Sequence, residues 1–277
     1  MAKYFTVKVV PVVPASKQAT FAQKDVLFDW TSFQVPRGAN KLISATATLR
    51  GTNGGTQAAK DIDLFFAKSI NGTAPATLGT VNSTMTAIPA VSNHLIGFTK
   101  FDNNDFGASC FDYLSIVSTG SGAAASNIPA LVLEGEHAFG DNVGYDTLYV
   151  GGGAGGTLDF GTGVVTSQAI DVSELSAAQL VNADIEGTDP RNAFAVGDII
   201  HATDDIIVGE IESMADANTI TFKADGSATT SQKGDYTVPA DLAAWKIQNG
   251  AGAAGDLGSG DELFNIHPIQ IILCFEK

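Results

Sequence analysis

Residues 263–277 read LFNIHPIQIILCFEK, and their pattern decides how the rest of the chain is arranged. Ile269, Ile271, Leu273 and Phe275 recur at a period of two, which puts all four on one face of a β-strand. A terminal strand this apolar needs a sheet to complete. Chain ends of a domain often lie close together, so the expected partner is the N-terminal part of the chain. What stands between then becomes an insertion.

The N-terminal part supplies such a sheet. YFTVKVV, VLFDWTSFQV, KLISATATLRG, IDLFFAKSI, YLSIVSTG, ALVLEG and DTLYVGG are short strand-like runs separated by turn residues. In the first run Phe5, Val7 and Val9 face one way, and Thr6 and Lys8 the other. In the third, Leu42, Ser44, Thr46 and Thr48 alternate with Ile43, Ala45, Ala47 and Leu49, as a half-buried antiparallel strand requires. RGTNGGTQ at 50–57 is a turn cluster, which predicts a hairpin between the third run and the fourth. The fold expected is all-β: an N-terminal antiparallel β-sandwich, jelly-roll or Ig-like, completed by the C-terminal strand.

After about residue 157 the character changes. AIDVSELSAAQLVNA, 169–183, carries helix signals: Asp171 or Ser173 as cap, Glu174 near the N-terminus, and a stripe of Leu175, Ala178, Leu180 and Val181. Asp189-Pro190 then breaks the chain. VGDIIHATDDIIVGEIESMADANTITF, 196–222, reads as a three-stranded meander with turns at TDD and ADAN, suited to a small curved barrel. Its second strand sets Ile207, Gly209, Ile211 and Ser213 against Ile206, Val208, Glu210 and Glu212. VPADLAAWKIQN closes that unit, and GAGAAGDLGSGD is a Gly-rich linker. The division expected is a sandwich over 1–156, an inserted small β-barrel-like unit with one short helix over 157–250, and a linker plus returning strand over 251–277.

Bulk properties narrow the function classes. The 277 residues carry a net charge of −15, which disfavours nucleic acids and anionic membranes as partners. No apolar run is long enough for a transmembrane helix. MAKYFTVKVVPVVPASK alternates and holds Pro11 and Pro14, so it reads as a first strand and not as a secretory signal. Cys110 and Cys274 each stand beside a phenylalanine and read as small buried hydrophobes without a disulfide framework. The charge is also segregated. Residues 1–100 hold ten Lys/Arg and four Asp/Glu, whereas 101–222 hold nineteen Asp/Glu and a single base, Arg191. Acidic loops that keep a β-protein soluble account for this, and so does a molecule with a basic docking end and an acidic outer end.

Chemistry is hard to find. His201, Asp204 and Asp205 lie close in sequence, but turn aspartates explain them, and a transition-metal site would need a further imidazole or thiolate. GGGAGG, 151–156, satisfies G-x-G-x-x-G, yet no helix signal follows to receive a pyrophosphate. DNND, 102–105, lacks the loop pattern of a calcium site and reads as a solvated turn. His94, His137, His201 and His267 are widely spaced. The expectation is a protein without catalytic residues, metal or cofactor.

Five stretches carry a resemblance: LFDWTSFQVPRGANKLISATATLRGTNG, DLFFAKSINGTAPATLGTVN, VGYDTLYVGGGAG, DLAAWKIQNGAGAAGDL and DELFNIHPIQIILCFEK. Their phrasing resembles virion structural proteins of marine tailed bacteriophages, of the cyanophage type, over most of the chain. The resemblance implies a part decorating or cementing the outer capsid surface, assembled in the host cytoplasm. It implies the major capsid protein or other virion proteins as partners, and a homo-oligomer, with a trimer among the options. On that reading the exposed bases of the first hundred residues make the docking contacts: Lys24, Arg37, Lys41, Arg50, Lys60 and Lys68. The rival readings are a tail, baseplate or fibre part that binds a host-surface glycan, and a polysaccharide-degrading virion enzyme.

Overall fold

The computed structural model describes residues 3–51, 59–86, 89–107, 113–119, 129, 131–136, 144–166, 181–185, 187–202, 207–222 and 262–277. Strand β15 (Ile269–Glu276) lies between β1 (Tyr4–Val9) and β3 (Asn40–Leu49), antiparallel to both, so the C-terminus fills the middle of an N-terminal sheet. Ile269, Ile271, Leu273 and Phe275 are its buried face, as their spacing predicts. Two short strands share the other side of β3: β6 (Ser115–Ser118) and β7 (Leu131–Leu133).

A second antiparallel sheet runs in the order β2 (Val26–Pro36), β8 (Tyr145–Ala154), β4 (Ile62–Lys68), β5 (Leu95–Phe101). The two sheets enclose one core in which Leu42, Leu64, Phe66, Leu148, Leu273 and Phe275 are fully buried. Phe275 stacks on Phe5 at 5.3 Å and on Phe33 at 6.3 Å, joining β15 to β1 and to the facing sheet.

Three details of the sandwich depart from the sequence reading. The third and fourth strand runs are not a hairpin. Both edges of β3 are occupied by β15, β6 and β7, so β4 pairs in the other sheet, and the intervening chain crosses between sheets. The alternation of β3 changes phase at Ile43, where Cys274 pairs with Ser44 but Phe275 pairs with Leu42. This bulge turns Leu42 inward together with Ala45, Ala47 and Leu49, and leaves Ser44, Thr46 and Thr48 outside. β5 is an additional strand: LIGFTKF is not among the expected runs, because glycine and lysine interrupt its apolar pattern.

Cys274 is a free, half-buried thiol and not a core residue, since the parity that buries Leu273 and Phe275 points it outward. Cys110 lies outside the described residues.

The run of glycines in β8 has a packing cause. A Cβ at Gly152 would sit 2.2 Å from the Phe28 ring, and one at Gly151 would sit 2.5 Å from Leu78, so large side chains lie across the strand there. No described helix follows it.

Between β8 and β15 the chain builds another sheet, in the order β10 (Val181–Asp184), β13 (Thr219–Phe222), β12 (Ile207–Ser213), β11 (Ile199–Ala202), β14 (Glu262–Asn265), β9 (Val164–Val165). A bridge between Thr166 and Ile185 links its two edges, so the sheet curls into a barrel-like body around Val164, Ile200, Ile211, Ile220, Phe222 and Leu263. The meander over 196–222 is present as β11, β12 and β13, and Asp216 closes its second turn by accepting the Asn218 amide at 2.9 Å. The TDD turn lies outside the described residues.

Glu210 is buried on β12 beside Ile211, because register shifts next to Ile200 and Ile211 disturb the period of two. Most of the helix expected over 169–183 lies outside the described residues, but its last positions, Val181 to Ala183, are strand β10 paired with β13. Asp189-Pro190 does not merely break the chain. It starts the short helix α2 (Pro190–Ala193), with Asp189 accepting the Arg191 amide and proline at the first position, where no amide is needed. A second short helix, α1 (Pro89–Ser92), precedes β5 in the sandwich. VPADLAAWKIQN and the Gly-rich linker lie outside the described residues. Residues 263–277 hold two strands rather than one: Pro268 interrupts the run, β14 completes the barrel-like body and β15 the sandwich.

Candidate docking surface

The six bases do not share one surface. The turn by which the chain passes from β2 in one sheet to β3 in the other defines one end of the sandwich, and Arg37 and Lys41 are exposed there. Lys68, at the end of β4, is half-buried toward the same end, opposite Leu148. Lys24, Lys60 and Arg50 are at the other end, where β2 and β4 begin and β3 stops. Lys24 is exposed with a left-handed φ of 75°, its amide bonded to the Ala154 carbonyl, and half-buried Lys60 lies against Gly156. The barrel-like body adjoins this second end.

Strand pairing adds two bases to the far end that the sequence reading missed. Lys3 and Lys277 exchange backbone hydrogen bonds, and Lys277 Nζ donates to the Arg37 carbonyl at 2.6 Å. Lys3, Arg37, Lys41 and Lys277 therefore form a basic cap, with Tyr4, Val132 and Tyr145 more than half exposed among them. Its carboxylates are partly engaged: Glu276 pairs with Lys41 at 3.7 Å, and buried Asp146 accepts the Gly38 amide at 3.0 Å. Glu134 is exposed beside β7. The signal for Lys3 and Lys277 was the pairing of the two terminal strands, not their own neighbours in sequence.

The barrel-like body carries the opposite charge. Its described residues include Asp189, Asp198, Glu210, Glu212, Asp216 and Glu262 against the single base Arg191. The exposed Arg191 forks onto the half-buried Asp189, and its hydrogen bonds hold that carboxyl below the usual aspartate range.

Arg50 is not a docking base. Its guanidinium makes two bonds to the Asp198 carboxylate, at 2.7 and 3.0 Å, across the junction between the two bodies. Asp198 also accepts from the Ala195 amide at 2.8 Å and from Asn265 Nδ2 at 3.2 Å. The crossover Ile266–Pro268 runs through this knot. The Val13 amide bonds to the Ile266 carbonyl, the Arg50 amide to the Pro268 carbonyl, and Gln18 Nε2 to the Asn265 carbonyl. His267 is 7% exposed, its Nδ1 3.1 Å from the Pro11 carbonyl. A cleft of about 640 Å³ opens onto the knot, lined by Lys8, Thr48, Leu114, Val196, His267 and Gln270 among others.

The residues weighed for chemistry do not converge. His94 contacts the Lys68 carbonyl, His201 is buried in β11, and Asp204, Asp205 and His137 lie outside the described residues. Within DNND, Asp102 accepts from both nitrogens of Asn104, and Lys100 bridges Asp102 and Asp61, as in a turn; Asp105, however, is buried rather than solvated. Among the described residues no group of three His, Cys, Asp or Glu side chains is placed to hold a metal ion, and no helix is long and apolar enough to cross a membrane. Compared with known protein families, curated proteins and solved structures, the chain matches none, so its function is argued from its own residues.

Proposed function

We propose that this chain is a non-catalytic structural component of a bacteriophage virion, decorating or cementing the outer capsid surface. The observation that supports this reading is the charge polarity along the molecule. A cap of Lys3, Arg37, Lys41 and Lys277 occupies the end of the sandwich away from the acidic barrel-like body. A basic end facing the shell gains from complementary acidic groups and from steering during encounter. The acidic body then faces solvent. Because a capsid repeats its surface, weak contacts by one copy add up when copies associate with each other and with the major capsid protein.

Tyr4 and Tyr145, exposed at the same cap, favour a second reading. Exposed aromatics are what a tail, baseplate or fibre part would use to hold a host-surface glycan. Copy number separates the two. Quantitative mass spectrometry of purified particles, scaled to the major capsid protein, is expected to give a ratio set by the capsid lattice. A ratio set by the tail's few-fold symmetry would move the protein to the tail, and absence from particles would sink both readings.

A further inference from the structure

The geometry points to an acid-sensitive latch at the junction: protonation of His267 loosens the seam between the sandwich and the barrel-like body, while each body keeps its own fold. The two bodies have separate apolar cores, so the seam can open without emptying either one. What closes it is largely polar, and His267 sits on the Ile266–Pro268 crossover that links β14 to β15.

The hydrogen bonds fix how the ring is protonated. A carbonyl oxygen only accepts, so His267 Nδ1 donates its hydrogen to the Pro11 carbonyl. The neutral ring therefore keeps its proton on Nδ1, and an added proton lands on Nε2. The His267 amide meanwhile donates to Asn265 Oδ1 at 2.8 Å, tying the ring's backbone to the same asparagine that reaches Asp198.

Three charged groups face the ring: Asp198 from the turn before β11, Arg50 from the end of β3, and Lys8 from β1. Asp198 is already shared among Arg50, the Ala195 amide and Asn265, so it has little left to offset a second cation. An imidazolium would sit in a site almost closed to water, beside a guanidinium and an ammonium. Burial is the main influence on the ring and pushes its pKa below the usual histidine value; the Pro11 and Asp198 oxygens pull it back by less.

The direction with pH follows. The unfolded or opened chain binds the proton more readily than the closed seam does. Closure is therefore at full strength above the ordinary histidine pKa of about 6.5, and weakens as pH falls through it toward the lowered value. The cleft lined by Lys8, His267 and Gln270 gives water a route to the ring once the seam loosens. The latch does not depend on what the basic cap binds.

Hydrogen exchange on the full chain, corrected for the intrinsic effect of pH, tests this at about pH 7.5 and about pH 5.5. The Val13 and Arg50 amides, which bond to the crossover carbonyls, are expected to lose protection at the lower pH, whereas β15 amides inside the sandwich keep theirs. In His267→Asn the amide nitrogen takes the place of Nδ1 but cannot titrate, so protection there should not change with pH. An unchanged pH response in that variant, or none in the wild type, would overturn the latch. Should the variant not fold, an NMR titration of the wild-type ring decides instead: an apparent pKa at or above the ordinary value contradicts it.

Discussion

The sandwich and the barrel-like body are both antiparallel β-structure, yet they hold themselves together by different means. Among the described residues the sandwich core contains seven phenylalanines, with Phe275 stacked between Phe5 and Phe33. The smaller core has two, Phe194 and Phe222, and its strands are mostly shorter. A body with little apolar surface to bury gains less from the hydrophobic effect. Contact with its larger neighbour adds to that gain, and the Arg50–Asp198 knot is where the two bodies are joined. The difference teaches that the charge carried by the second body is tolerated because a larger core stands beside it.

Removing one aromatic from each core would sharpen this contrast most. Phe275→Ala and Phe222→Ala should each cost about 3–5 kcal/mol where they act. Hydrogen exchange is expected to show Phe275→Ala loosening both bodies, since β15 continues directly from β14, and Phe222→Ala loosening the barrel-like body alone. Equal loosening of the sandwich by both would mean one cooperative unit instead of two.

Next in size is Asp198→Ala, which strands a largely buried guanidinium and should cost about 3 kcal/mol. In thermal unfolding the barrel-like body should melt at a lower temperature than the sandwich, giving two transitions. A single unshifted transition would remove the knot from the account.

Gly152→Ala comes third. Its Cβ would press on the buried Phe28 ring, and crowding of this kind costs about 1–3 kcal/mol. Chemical denaturation should show that loss with the slope unchanged. Alanine tolerated at no cost would contradict the packing reason for the glycine run.

Legibility from sequence cut across this divide. The period of two in Ile269 to Phe275 was enough to name β15's inward face and its return to the N-terminal sheet, because a strand buried on one side must alternate. The meander over 196–222 was legible through turn signals such as ADAN, where Asp216 accepts the Asn218 amide. The β3–β4 hairpin was misread because a turn signal tells where the chain bends, not which sheet it enters. Val181 to Ala183 were read as helix because local propensity could not register their pairing with β13. Arg50 looked like any surface base. Its partner, Asp198, is 148 residues away, and only the fold brings the two together. The basic cap was half legible: Arg37 and Lys41 stood out, while Lys3 and Lys277 joined them only through the pairing of β1 with β15.

Charge reversals at the two ends should change stability least, by about 0.5 kcal/mol or less, since surface charges contribute little to folding. Their effect on binding tests the central claim most directly. If the proposed capsid role holds, shells lacking this protein would be offered three chains at low salt: wild type, Arg37→Glu/Lys41→Glu at the cap, and Lys24→Glu/Lys60→Glu at the opposite end. Co-sedimentation should show the cap variant losing attachment and the other retaining it. Attachment kept by the cap variant, or lost through Lys24 and Lys60 instead, would contradict docking through the basic cap.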